Sequence, residues 1–183
     1  MAEIALFGGS FSPVHIGHME VVRGILDRSL ADEVWMMPCK KNPLKDSSLL
    51  DDDARVNLLR KAVDHIRKTN KEYKIEISDI EYQMPSPSYT VDTLARLQEL
   101  YPEHKFRLAV GADSYLDFQK WKNWEWIESN FHPIVYPRPG YPVAELRKGW
   151  TLLDNVKTVD ISSTEVRNLL AERRDCMEWM PWL

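Results

Sequence analysis

A chain of 183 residues, 44% hydrophobic and 28% charged, can enclose a full core and has the balance of a water-soluble globular protein. Its net charge of −4 argues against a general affinity for nucleic acid or for an anionic membrane. Cys39 and Cys176 are too few for a disulfide framework, no apolar run is long enough to span a bilayer, and no signal-peptide pattern opens the chain, so the expected compartment is a reducing cytoplasm.

Residues 3–7, EIALF, read as a buried strand. Residues 18–30 set Val21, Val22, Ile25 and Leu26 on one helical stripe. EVWMMP reads as a strand ended by Pro38. Between residues 53 and 68, Val56, Leu59, Val63 and Ile66 recur at helical spacing. Residues 73–81 are strand-like. A helix follows over 89–100, with Thr90 as its candidate cap and Val91, Leu94 and Ala95 facing inward. Residues 105–111 form a strand ending in Gly111, and FHPIVYPRPG a strand stopped by Pro137 and Pro139. VKTVDI, residues 156–161, reads as a last short strand before a helix over about 163–172, whose start carries the capping-box spacing of Ser162 and Glu165. The tail CMEWMPWL reads as a short flap.

Alternating strands and helices with short links predict one domain over 1–183, of the α/β class, built on a doubly wound parallel sheet with a small C-terminal helical extension. Ligands of such sheets bind beyond the carboxyl ends of the strands. The unusual motifs cluster after strands: GGSFSPVHIGH, PCKKNPLK, GAD and SSTEVR.

Gly8 and Gly9 let a ligand approach the main chain, or serve only a tight turn. The helix start beyond them offers free N–H groups to a phosphate. His15 and His18 lie one helical turn apart. They read as metal ligands without a third ligand at metal spacing, as partly buried histidines, or as groups aimed at a phosphate. Gly17 between them favours the last, since its missing side chain opens space for a base or a triphosphate. ISSTEVR sets the hydroxyls of Ser162, Ser163 and Thr164 at a helix start, with Arg167 a turn later. That is an anion site, or a capped surface helix with a solvated arginine.

Taken together, GSFSPVHIGH and ISSTEVR resemble the nucleotidyltransferase superfamily marked by a His-x-Gly-His motif and a late Ile-Ser-Ser-x-x-x-Arg motif. PSYTVDTL, GADSYLDFQKW and YPRPGY are similar to segments of its bacterial nicotinate-nucleotide adenylyltransferases, so the resemblance runs from residue 4 to about 170. It implies a Rossmann-like fold and transfer of the adenylyl group of ATP to nicotinate mononucleotide. Mg²⁺ would be held mainly by ATP phosphates and water, with no dedicated protein cage. His15, His18 and Arg167 would be catalytic. The same three would bind ATP together with Gly8, Gly9, Ser10, Phe11 and Gly17, with Lys45, with Gly111 and Asp113, and with Ile161, Ser162 and Ser163. Ser88, Tyr89, Thr90 and Trp121 would bind the acceptor, Trp121 by stacking on its pyridine ring; Arg138 joins them, or is structural. KNPLK departs from the family's Pro-Pro-His-Lys, so the phosphate lysine is one of Lys40, Lys41 and Lys45. Rival readings are an adenylyltransferase for nicotinamide mononucleotide or phosphopantetheine, a cytidylyltransferase, and a non-catalytic nucleotide-binding module. A homo-oligomer is left open.

Overall fold

The computed structural model describes residues 1–40 and 50–183. Among these, six strands form one sheet in the order β3-β2-β1-β4-β5-β6: β1 Glu3–Gly9, β2 Glu33–Pro38, β3 Ile75–Ile77, β4 Lys105–Gly111, β5 Ile134–Tyr136 and β6 Thr151–Leu152. Every neighbouring pair is parallel. The chain steps outward from β1 to β3, then returns to lay β4 on the other side of β1. The carboxyl ends of β1 and β4 therefore mark the switch point, where open sheets of this kind bind ligands. The helices are α1 Ile16–Asp27, α2 Asp52–Thr69, α3 Ile80–Gln83, α4 Thr90–Leu100, α5 Ala112–Leu116, α6 Trp124–Phe131 and α7 Ser163–Ala171.

The unbroken apolar run of β1 follows from burial on both faces. Ala5 and Phe7 face a core shared with Val22 and Ile25 of α1 and Leu59 and Val63 of α2. Ile4 and Leu6 face a second core with Leu94 and Leu97 of α4 and Ile127 and Phe131 of α6. Each of these large side chains stabilises the fold by roughly 1.5–3 kcal/mol when fully buried. Helix α2 is capped by the Asp51 carboxylate, which accepts from the Ala54 N–H at 2.8 Å. Asp52 and Asp53 in its first turn and Arg67 and Lys68 in its last complement the helix dipole.

Several expected elements differ. The strand expected over 73–81 is only Ile75–Ile77, because the chain turns at Ser78 and enters α3. Residues 156–161 form no strand; Thr151–Leu152 takes the sheet edge beside β5 instead. Val156 packs over Gly24 of α1, where a Cβ would lie 2.7 Å from its Cγ2, so this segment crosses the helix rather than extending the sheet. Thr90 is the first residue of α4 and not its cap; Tyr89 holds the cap position and makes no side-chain cap bond. Ala95 is half-buried, while Thr93 and Leu97 face inward. Beyond α7 the tail is non-helical; Cys176 is buried, and Met180 and Trp182 join the core on the α1 and α2 side. Among the described residues, no helix is long and apolar enough to cross a membrane.

Candidate active site

Gly8 and Gly9 close β1 itself, paired with Met37 and Pro38, and are not a turn after it. The sharp turn falls on Phe11, whose φ of 43° is one that bulky residues rarely adopt. Its buried ring fixes it there, 5.4 Å from the Phe7 ring and 5.2 Å from that of His18. Gly9 makes the room, since a Cβ would stand 3.1 Å from the Phe11 ring. Any contact of Phe11 with a ligand is thus left to its main chain. At Gly8 a Cβ would meet only Met37 Cε, at 3.8 Å, so this is the glycine a ligand can reach.

Helix α1 starts on a reciprocal cap made by two histidines. His15 Nδ1 accepts from the Gly17 N–H, and His18 Nδ1 accepts from the His15 N–H, each at 3.1 Å. With both Nδ1 atoms accepting, each neutral ring carries its proton on Nε2. Burial, reinforced by the Arg138 guanidinium, pushes His15 down to about 4. Burial, then His15 and Arg138, drives His18 well below its ordinary value. At neutral pH the pair is therefore uncharged, with two N–H donors.

The first amides of α1 are all in use. Ile16 N–H donates to the Trp179 carbonyl at 2.8 Å, Gly17 N–H to His15 Nδ1 and His18 N–H to the His15 carbonyl. The free N–H groups expected at this helix start are absent because the histidine cap and the C-terminal tail consume them. Gly17 also differs from expectation. A Cβ there would lie 2.9 Å from His15 Cε1, so its missing side chain admits the His15 ring rather than a ligand.

Helix α7 is joined to the same turn. Ser163 Oγ donates to the Pro13 carbonyl at 2.9 Å, and Arg167 donates to the Ser12 carbonyl at 2.5 Å and to Thr164 Oγ1 at 3.1 Å. The capping box is formed: Ser162 Oγ accepts from Glu165 N–H at 3.2 Å, and the Glu165 carboxylate accepts from Ser162 N–H at 2.7 Å. The N–H groups of Ser163 and Thr164 have no partner among the described residues, so α7 presents the open amides that α1 lacks. Across the opening stands Arg138, 3.7 Å from Asp113. Gly111 lets Asp113 fold back, since a Cβ there would meet Asp113 Oδ1 at 2.5 Å. His15, Gly17, His18, Arg138 and Ile161 line one cavity; Arg138, expected beside the acceptor, stands with the histidines.

A second cavity opens on the other side of the β1 terminus, lined by Gly8, Gly9, Cys39, Glu81, Thr90 and Trp121. Tyr89 is exposed, and Lys122 sits 4.6 Å over its ring while pairing with Asp92 at 3.2 Å. Ser88 turns its hydroxyl to Glu81 at 2.8 Å. Lys41 and Lys45 lie outside the described residues, and Lys40 is exposed.

Residues 6–169 match the family model described as cytidylyltransferase-like. A Porphyromonas gingivalis protein named "Probable nicotinate-nucleotide adenylyltransferase" is 35% identical over 179 residues, covering 96% of this chain and 88% of the relative. One of the same name from Bacteroides thetaiotaomicron is 40% identical, over 93% of this chain and 82% of the relative. The chain belongs to the cytidylyltransferase-like family, in its nicotinate-nucleotide adenylyltransferase branch. The Plasmodium falciparum nicotinic acid mononucleotide adenylyltransferase complexed with APC shares the fold, with a TM-score of 0.76 at 24% identity over 98% of this chain and 90% of that one.

Two residues of this adenylyltransferase-branch chain escaped the motif reading. Arg55 is wholly buried and donates to the carbonyls of Ser10 at 2.5 Å and Cys39 at 2.8 Å, with the Asp52 carboxylate beside it. It ties the loops after β1 and β2 to α2. Its signal was legible, since Arg55 falls on the stripe of Leu59 and Val63, where an arginine is buried only if paired. Glu81 lines the second cavity, and no motif pointed to it.

Proposed function

We propose that the protein transfers the adenylyl group of ATP to nicotinate mononucleotide, with release of nicotinate adenine dinucleotide and pyrophosphate. The observation that carries this reading is the union of the two motif turns. Arg167 and Ser163 of α7 are bonded to Ser12 and Pro13, just before the histidine cap, which joins the α7 start to the turn whose two histidines share a cavity with Arg138 and Ile161. The curated relatives of the same branch support the choice of substrates.

The end of β1 divides the two cavities, with Phe7 lining the first and Gly8 and Gly9 the second. ATP phosphates belong with the histidines and α7, and the acceptor with Gly8, Thr90 and Trp121. An oxygen of the acceptor phosphate forms the new bond to the α-phosphorus while the bond to the pyrophosphate oxygen breaks. A phosphate monoester, with its second pKa near ~6, is already largely dianionic at neutral pH, so no general base is needed. Neutral imidazoles suit that chemistry: His15 and His18 donate from Nε2 to phosphoryl oxygens as charge develops, and Arg138 adds fixed positive charge. The two Nη atoms of Arg167 already hold Ser12 and Thr164, so its part is to fix the turn as well as to add charge. Mg²⁺ supplies further neutralisation of the triphosphate when bound. Mg²⁺ keeps several waters and is commonly held through substrate phosphates, so ATP phosphates and water would carry it here. The free thiols of Cys39 and Cys176 suit a reducing cytoplasm.

The test is pyrophosphate release with ATP and Mg²⁺, run in parallel with nicotinate mononucleotide, nicotinamide mononucleotide and phosphopantetheine. Fastest turnover with nicotinate mononucleotide is expected. Turnover with phosphopantetheine and none with nicotinate mononucleotide overturns the reading.

A further inference from the structure

The wall of the second cavity opposite Gly8 is the first turn of α4, and this helix starts without the usual device. Its cap residue, Tyr89, provides no side-chain acceptor. Helices often secure such a start with an apolar pair, one residue before the cap and one at the fourth helical position. Here those positions are Ser88 and Thr93, two hydroxyls that cannot pack as an apolar pair. Glu81 joins them from α3: one carboxylate oxygen accepts from Ser88 Oγ at 2.8 Å, the other from Thr93 Oγ1 at 2.7 Å. Thr93 is 1% exposed, so its arm of the bridge is shielded from water. Hydrogen bonds to an ionised carboxylate are the stronger kind, and both oxygens are used.

We infer that Glu81 is a positioning residue for the acceptor: it staples Ser88 to Thr93 and so sets Thr90, between them, at its distance from Trp121 across the cavity. The inference rests on the proposed function for the identity of the acceptor. In the proposed arrangement the reacting phosphates belong with the histidines, while Glu81 lines only the second cavity. Its loss therefore misplaces one substrate and not the other.

The test compares Glu81→Ala, Glu81→Gln and Ser88→Ala in steady-state pyrophosphate release and in amide hydrogen exchange. Glu81→Ala is expected to raise KM for nicotinate mononucleotide about 10-fold while KM for ATP stays within about twofold, the scale of a lost charged hydrogen bond. Glu81→Gln, which keeps one acceptor oxygen, should fall between wild type and Glu81→Ala. Ser88→Ala, which removes one arm of the bridge, should raise the acceptor KM by less than Glu81→Ala does. An unchanged acceptor KM, or an equal rise for both substrates, overturns the inference. Exchange of the amides of residues 90–93 should quicken in Glu81→Ala with the rest of the sheet unaffected; unaltered exchange there overturns it whatever the acceptor proves to be. Absence of wild-type turnover with nicotinate mononucleotide counts against the function and leaves the exchange result to decide the staple.

Discussion

Arg167 donates to the main-chain carbonyl of Ser12 at 2.5 Å, across 155 positions of sequence. Ser12 is fully buried, so this carbonyl cannot turn to water when the guanidinium is removed. Arg167→Ala should cost about 1–3 kcal/mol of stability and raise KM for ATP about 10-fold or more, because the turn and α7 are no longer held together. Arg167→Lys should rescue poorly, since one ammonium replaces a fork that reaches Ser12 and Thr164 together. An unchanged ATP dependence in either variant would remove Arg167 from the phosphate wall.

His18→Ala should lower kcat about 100-fold or more, the scale of losing one preorganised donor to a developing anion. The same change removes the acceptor for the His15 N–H, so its thermal midpoint has to be measured alongside. A variant of near wild-type kcat would show that His18 is only a helix cap.

Gly8 at the end of β1 and Gly17 at the start of α1 should respond differently to substitution. Gly17→Ala forces the His15 ring aside and should cost about 1–3 kcal/mol, with loss of kcat. Gly8→Ala meets nothing closer than Met37 at 3.8 Å and should fold as wild type does, yet bind substrate more weakly. Chemical denaturation and KM values on both variants check this; a destabilised Gly8→Ala with normal KM would contradict it.

Acid should weaken the fold through His15, which is 3% exposed. Between its ordinary pKa of 6.5 and its folded value of about 4, the unfolded chain binds a proton that the folded chain excludes. The stability is complete above about pH 6.5 and is lost as pH falls toward 4, by the order of 3 kcal/mol from this residue. His18 acts in the same direction. Urea titrations at pH 7.5 and 4.5 should show the loss, and His15→Asn, whose amide caps a helix without titrating, should reduce it. Equal pH dependence in the two proteins would contradict the assignment.

The parallel α/β class and the α7 cap were readable because their signals are local: apolar runs alternating with helical stripes, and a serine three residues before a glutamate. Arg55 was readable too, as a charge on an apolar stripe. The cap of α1 was not, since histidine is not a preferred cap and its partner is a second histidine. The edge strand Thr151–Leu152 is too short to show an alternation. Residues 156–161 include the β-branched Val156, Thr158, Val159 and Ile161, which read as a strand, but the place of Val156 is decided by the open side of Gly24, far away in sequence. Glu81 joins residues that no local pattern connects.

The hydrogen bond from Ile16 to the Trp179 carbonyl ties the C-terminal tail to the first turn of α1. The amide it occupies is one that a helix start would otherwise offer to an anion. The tail thus acts as a plug on that donor, and loosening it would return one N–H to the histidine turn.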